Sequence, residues 1–155
     1  DVSLEFLAHN CDIFYIGGTK VGAMFGEAVV LTQKNMIPHF FTMIKQQGAL
    51  LAKGFITGVQ FDTLFTDNLY FNIAKNAITQ ASKIKKTLAS KGYKFYIDSP
   101  TNQIFVILNN DKLNELSKNV SFSFWEKYDD NSTVVRFATS WATSDEDTEK
   151  LCQLL

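Results

Sequence analysis

An uninterrupted apolar run, IFVIL at residues 104–108, constrains the fold more than any other segment of the chain. Turn residues precede it, and its mixture of β-branched and aromatic side chains predicts a strand that is apolar on both faces. Such a strand is expected at the centre of a sheet. With 155 residues, 46% of them apolar, the chain can build a core within one domain or within parts of two.

Three further strand patterns and two short helical patterns accompany this central run. The segments 99–102 (SPTN) and 129–132 (DDNS) read as turns, and the second predicts that the last two strands pair antiparallel. Asp111 is predicted to cap a short helix and Ser144 a closing helix with an acidic first turn. Together these patterns predict a small α+β domain. Its strands are expected at 93–97, 103–109, 121–128 and 133–140.

The first half of the chain combines two strands with helical segments. Residues 38–65 are apolar with a helical pattern, and the glycines inside them indicate close packing or a break between two helices. Asp67 is predicted to cap a long helix that carries one apolar stripe and ends at Gly92. We place a boundary here, giving domains 1–70 and 71–155. A first helix is expected at 2–9 and strands at 12–16 and 27–31.

Charge and cysteine content exclude several function classes. A net charge of −1 without a concentrated basic face disfavours a nucleic-acid partner. The two cysteines are far apart and lack zinc-ligand spacing, which predicts a reducing, cytoplasmic location and no metal site. No apolar run is long enough for a membrane span. His9 and His39 lie near helix ends and are interpreted as structural or surface residues, and the opening DVSLEFLAHN reads as the middle of a longer protein.

Lys20 stands alone in a glycine-rich segment between the first two strands. The segment, IGGTKVGAMFG, is neither a P-loop nor a dinucleotide fingerprint, because G-K-[ST] and GxGxxG are both absent. Its small residues would let a flat ring approach the backbone, and a lysine amine can form a Schiff base. Thr19 adds a hydroxyl suited to a phosphate. The alternative is a β-turn with a lysine that faces solvent.

Arg136 is the only arginine in the chain, against fourteen lysines. A single arginine suggests a task that needs the planar fork, such as a two-pronged grip on a carboxylate. The strand period places Arg136 on the face opposite Val135 and Phe137. The alternative is a structural ion pair with Asp129 or Asp130 across the hairpin.

Three ordered blocks resemble the threonine aldolase and β-eliminating lyase family of pyridoxal-phosphate enzymes. The blocks are DIFYIGGTKVGAMFGEAVVL, GALLAKGFITGVQF and VVRFATSWATSDEDTEKL, and they cover nearly the whole chain. The resemblance implies an α/β fold, that of the C-terminal part of a pyridoxal-phosphate fold type I enzyme. This part comprises the end of the large-domain sheet, connecting helices and a small α+β domain.

The resemblance also implies residue roles. Lys20 matches the family's Schiff-base lysine, with Thr19 before it, and Arg136 matches the arginine that binds the substrate carboxylate. Lys53 falls where a basic residue lies near the cofactor phosphate, although LLAKG replaces the glycine run and arginine found in many threonine aldolases. The cofactor would be pyridoxal 5'-phosphate. The substrate would be an amino acid, and a homodimer or homotetramer with sites at subunit interfaces would be the active form.

The residues leave the reaction open. Aldol cleavage of a β-hydroxy amino acid and β-elimination fit equally well. An aminotransferase or a cysteine-desulfurase-like enzyme of the same fold is an alternative, and a non-catalytic α+β binding module is an alternative of another class. The family's phosphate loop, ring-stacking aromatic and pyridine-binding aspartate precede its lysine, so we expect a fragment that lacks half of the active site.

Overall fold

The computed structural model describes residues 2–155, which form two compact units that divide between Tyr70 and Phe71. Among these residues, no helix combines the length and the apolar character that a membrane crossing requires. Both cysteines are free thiols and half-buried.

The first unit begins with a helix and a two-stranded hairpin. Helix α1 (Leu4–Asn10) is capped by Ser3, whose hydroxyl accepts a hydrogen bond from the backbone of Phe6 at 3.1 Å. Strands β1 (Ile13–Gly17) and β2 (Glu27–Leu31) pair antiparallel along their full length. The predicted helix and both predicted strands are therefore present. The nine residues between the strands contain Lys20.

Two helices follow the hairpin where the sequence showed one long apolar segment. They are α2 (Phe40–Gln46) and α3 (Phe55–Phe65). Gly48 adopts a left-handed conformation, with φ of +69°, just after α2 and ends it. Gly48 and Gly54 thus lie at a break between two helices, which was one of the two possibilities that the glycines suggested, whereas Gly58 lies inside α3.

The chain passes from α3 into the long helix α4 (Leu69–Ser90) through one tight turn. Asp67 does not cap α4, contrary to the prediction. Both Asp67 and Asn68 have left-handed backbones, with φ of +50° and +58°, whereas an N-cap residue ordinarily has an extended backbone. Gly92 ends α4 as predicted: its φ is +80°, and the next amide, of Tyr93, donates to Leu88 at 3.0 Å.

The second unit is a four-stranded antiparallel sheet with helices on one face. Its strands occur in the order β3–β4–β6–β5, so the apolar run at 104–108 is central as predicted. The inner face of the sheet packs against the apolar stripe of α4, mainly Ala81, Ile84 and Leu88, to form the core. The strands are β3 (Lys94–Ile97), β4 (Gln103–Asn109), β5 (Ser123–Lys127) and β6 (Ser132–Ala138).

Two shorter helices complete this unit. Helix α5 (Asn110–Leu116) is capped by Asn109, whose side chain accepts a hydrogen bond from the Lys112 amide at 2.7 Å. The predicted cap, Asp111, instead lies in the first turn, because β4 runs one residue further than its apolar segment. Helix α6 (Asp145–Leu154) is capped by Ser144 as predicted, with a hydrogen bond of 3.0 Å from the Asp147 amide.

Candidate functional site

Lys20 occupies the middle of a single 3₁₀ turn, Thr19–Val21, at the tip of the β1–β2 hairpin. The Gly18 carbonyl accepts hydrogen bonds from the amides of Val21 and Ala23, each at 3.0 Å. Gly22 ends the turn with a φ of +103°, which an L side chain rarely adopts. The glycines thus give the turn a shape that few other residues would permit.

Side chains of helix α3 hold this turn in place. The Phe61 ring lies directly over Gly18, so that a Cβ at Gly18 would come within 2.9 Å of it. The Gln60 side chain accepts from the Met24 amide at 2.7 Å and donates to the Phe25 carbonyl at 3.4 Å. The position of the turn is therefore fixed by side chains more than thirty residues later in the sequence.

The side chains of Lys20 and Thr19 remain free on this rigid support. Both are exposed, and neither forms a hydrogen bond or an ion pair with any residue from 2 to 155. These residues fit the aldehyde and phosphate of pyridoxal phosphate, because a free primary amine and a free hydroxyl are the groups needed. The interpretation of Lys20 as a surface residue of an ordinary turn does not by itself account for the bracing.

Lys53 lies in a turn immediately before α3, within the segment 38–65 whose pattern predicted helix. It is exposed, and within the described part of the chain it has no side-chain partner. The structure records no contact of Lys53 with Lys20 or Thr19. Its position at the open end of α3 leaves the ammonium group available to an anion.

Arg136 lies on β6 between two strands, directly opposite Phe105 of β4 and Ser123 of β5. As predicted, it points to the face opposite the core, which contains Val135 and Phe137. One terminal nitrogen donates to Gln103 Oε1 at 3.1 Å and the other to Ser123 Oγ at 3.3 Å.

No carboxylate pairs with Arg136 among residues 2–155. The alternative of a hairpin ion pair is wrong, since Asp130 binds Lys127 at 2.6 Å and Asp129 accepts from the Asn131 amide at 2.8 Å. The Arg136 Nε is buried and has no acceptor in the described part of the chain. Arg136 as a whole is half-buried, so its guanidinium lies partly within the protein without a counter-ion among residues 2–155.

Arg136 also borders an open cleft of about 830 Å³ in the second unit, formed between β6, α6 and the segment that leads into β5. The Trp125 ring lies beside the guanidinium, 5.8 Å from it, and meets Phe105 edge to face at 4.8 Å. Gln103, Ser123 and Trp125 were not identified from the sequence. They are near Arg136 only through the register of the sheet.

Comparison with known proteins identifies the fold. No protein-family model and no curated protein sequence matches the chain. The structure is similar to the threonine aldolase of Leishmania major, with a TM-score of 0.94 and 36% identity over 99% of this chain and 45% of that one. It is also similar to the serine palmitoyltransferase of Sphingomonas wittichii, with a TM-score of 0.66 and 13% identity over 96% and 39% of the two chains.

The chain spans less than half the length of both proteins. At 13% identity the second likeness shows the fold alone. The first likeness extends over both units at a much higher identity. The predicted resemblance to the threonine aldolase family is therefore confirmed, and the chain has the α/β fold of the C-terminal half of a threonine aldolase.

Proposed function

We propose that the complete protein is a pyridoxal-phosphate-dependent lyase that acts on a β-hydroxy or β-substituted amino acid. The observation that carries this proposal is Lys20, an unpaired amine held on a braced turn in a chain that resembles a threonine aldolase. Phe61 packs against Gly18, and Gln60 binds the backbone of Met24 and Phe25, so the segment is fixed on both sides of Lys20. A lysine that served only solubility would not need such a support.

Lys20 is the residue that would hold the cofactor covalently through its Nζ, and the hydroxyl of Thr19 would bind the phosphate. Lys53 would add a positive charge near that phosphate. When bound, the cofactor supplies an electron-accepting ring for a bond broken at the substrate Cα. The chain itself supplies the attachment point and the polar groups that orient the ring.

Arg136 would bind the α-carboxylate of the substrate. A guanidinium with neutral neighbours and no internal counter-ion attracts an anion, and its planar fork matches a carboxylate. Fixing the carboxylate restricts rotation about Cα and so determines which bond is aligned for cleavage.

Two reactions are open to such an enzyme, and they differ in which bond at the substrate Cα is broken first. Cleavage of Cα–Cβ in a β-hydroxy amino acid releases glycine and an aldehyde, as in a threonine aldolase. In β-elimination the Cα–H bond breaks first, and Lys20 Nζ, once released from the cofactor by the substrate amine, would accept that proton. The resemblance to the Leishmania major threonine aldolase favours the first reaction.

The complete protein is further proposed to be cytoplasmic and to assemble as a homodimer or homotetramer. The first unit leaves several large apolar side chains exposed, including Phe41 at 66%, Leu51 at 62% and Phe55 at 68%. Apolar surface of this extent is ordinarily covered, either by the remainder of the same chain or by another subunit.

The test is to express the complete reading frame, record its visible absorption, and trap the cofactor by borohydride reduction. We expect a yellow protein with the adduct on the peptide that contains Lys20, and glycine plus acetaldehyde from threonine. Light scattering on the same preparation gives the assembly state. Lys20→Met should abolish the adduct, while the matched control Lys34→Met, at another exposed lysine after the same hairpin, should retain it.

A colourless protein that stays unlabelled after addition of pyridoxal phosphate would overturn the enzyme assignment. A labelled protein that transaminates instead of cleaving threonine would keep the cofactor and reject the lyase.

A further inference from the structure

The Arg136 guanidinium is held entirely by neutral acceptors. Of its five N–H groups, one on each terminal nitrogen is used, by Gln103 Oε1 and Ser123 Oγ. The Nε–H is buried and unpaired, so a ligand cannot reach it without a rearrangement. One N–H remains on each terminal nitrogen, which is the number that a two-pronged carboxylate contact requires.

A β-bulge in β5 determines the positions of Ser123 and Trp125 next to Arg136. The pairing of β5 with β6 slips by one residue between Phe124 and Glu126, and Trp125 is the extra residue. The slip brings Ser123, instead of Phe124, opposite Arg136, and Trp125 beside the guanidinium. Bulges often redirect side chains next to functional sites.

The carboxylate available on the adjacent strand is engaged elsewhere. The carboxylate of Glu126, on β5, acts on the hydroxyl of Tyr96 and raises the pKa of that hydroxyl. Tyr96 in turn meets Tyr128 edge to face, with ring centroids 6.5 Å apart. Glu126 forms no ion pair with Arg136. The surroundings therefore supply hydrogen-bond acceptors to Arg136 but no negative charge.

We propose that Gln103 and Ser123 are positioning residues that fix the Arg136 fork through neutral contacts and so reserve its charge for the substrate carboxylate. This inference rests on the proposed role of Arg136 and extends it. A carboxylate at position 103 or 123 would orient the fork equally well but would neutralise it. The amide of Gln103 and the hydroxyl of Ser123 orient the guanidinium without neutralising its charge.

The test is Gln103→Glu in the complete holoenzyme, which keeps the size and the acceptor of the side chain and adds a negative charge about 3.1 Å from the guanidinium. We expect KM for threonine to rise by about 10-fold to 100-fold, since hydrogen bonds to charged groups contribute roughly 1.5–3 kcal/mol. The kcat should change little, because the bond is made in the ground state and in the transition state alike.

A substrate without the carboxylate charge provides a readout that a purely structural role would not change. For threonine amide, Gln103→Glu should leave KM unaltered or lower it, so the preference for threonine over its amide should collapse. Gln103→Ala, which removes the acceptor without adding charge, should raise KM for threonine by only about 2-fold to 10-fold. The matched control is Gln46→Glu, the same chemical change at an exposed position on α2, and it should have no effect.

Ser123→Asp adds a negative charge next to the other terminal nitrogen of Arg136. It provides the same test if Gln103→Glu does not fold. Unchanged KM for threonine in a folded charged variant, or equal losses for threonine and its amide, would overturn the proposal. Failure of the proposed function is distinguishable, because the wild type would then lack the Lys20 adduct and threonine cleavage altogether.

Discussion

Gly18 is the position where one added methyl group should disturb the Lys20 turn most. In Gly18→Ala the new Cβ would lie 2.7 Å from the Ala23 Cβ and 2.9 Å from the Phe61 ring. Carbon atoms normally approach to about 3.5–4.0 Å, so the neighbours must move by roughly 0.8 Å. Ala23 belongs to the same turn and Phe61 is buried, so neither side chain can rotate away. We expect a cost of about 1–3 kcal/mol, as for other overpacked sites.

The amides of Val21 and Ala23 report this cost directly, since both donate to the Gly18 carbonyl. Hydrogen exchange should show weaker protection of the turn, and borohydride should label Lys20 less completely. Gly17→Ala is the matched control: no atom lies within 4 Å of its added Cβ, so stability should be unchanged or rise by about 0.4–1 kcal/mol. Equal protection in the two variants would refute the idea that the turn is braced at Gly18.

Two predictions concern the second unit, and urea unfolding followed by tryptophan fluorescence measures both, since both tryptophans lie there. Lys83 and Gln80 bind the Asp145 carboxylate and hold its pKa below the ordinary value of 3.8. The stability that these contacts contribute is therefore fully present above pH 3.8. It is lost as the pH falls through the lower pKa of the folded state. Asp145→Asn should therefore destabilise at pH 7 and have little effect near pH 2; equal destabilisation at both would contradict this. Asn109→Ala should cost about 1 kcal/mol by removing the cap of α5, and Asp111→Ala should cost less. A larger loss in Asp111→Ala would show that the cap was misassigned.

Most elements of the fold were predictable because their signals are local. The apolar run at 104–108, the turn at 129–132 and the cap at Ser144 each depend on residues that are neighbours in sequence. The two errors in capping arose where adjacent polar residues compete. Asn109 caps because β4 ends there, and Asp67 does not because the connection between α3 and α4 needs a left-handed backbone. Neither choice is determined by the cap residue itself.

The surroundings of Arg136 were not predictable because they depend on register. Counting pairs outward from the turn at 129–132 without a bulge would place Phe124 opposite Arg136 and leave the guanidinium without that hydroxyl. Gln103 is 33 residues away and meets Arg136 through β4. The composition indicated that the one arginine matters, but only the sheet shows which side chains accept from it.

The Gln60 contacts bear on the order in which the Lys20 region takes shape during synthesis. The hairpin can close as soon as β2 has been made, but its tip is held by a side chain 36 residues after Met24. Chains fold from the N-terminus as they emerge from the ribosome. A nascent chain therefore has a hairpin with an unformed tip until α3 follows, and a ligand that requires the finished turn cannot be held by it before then.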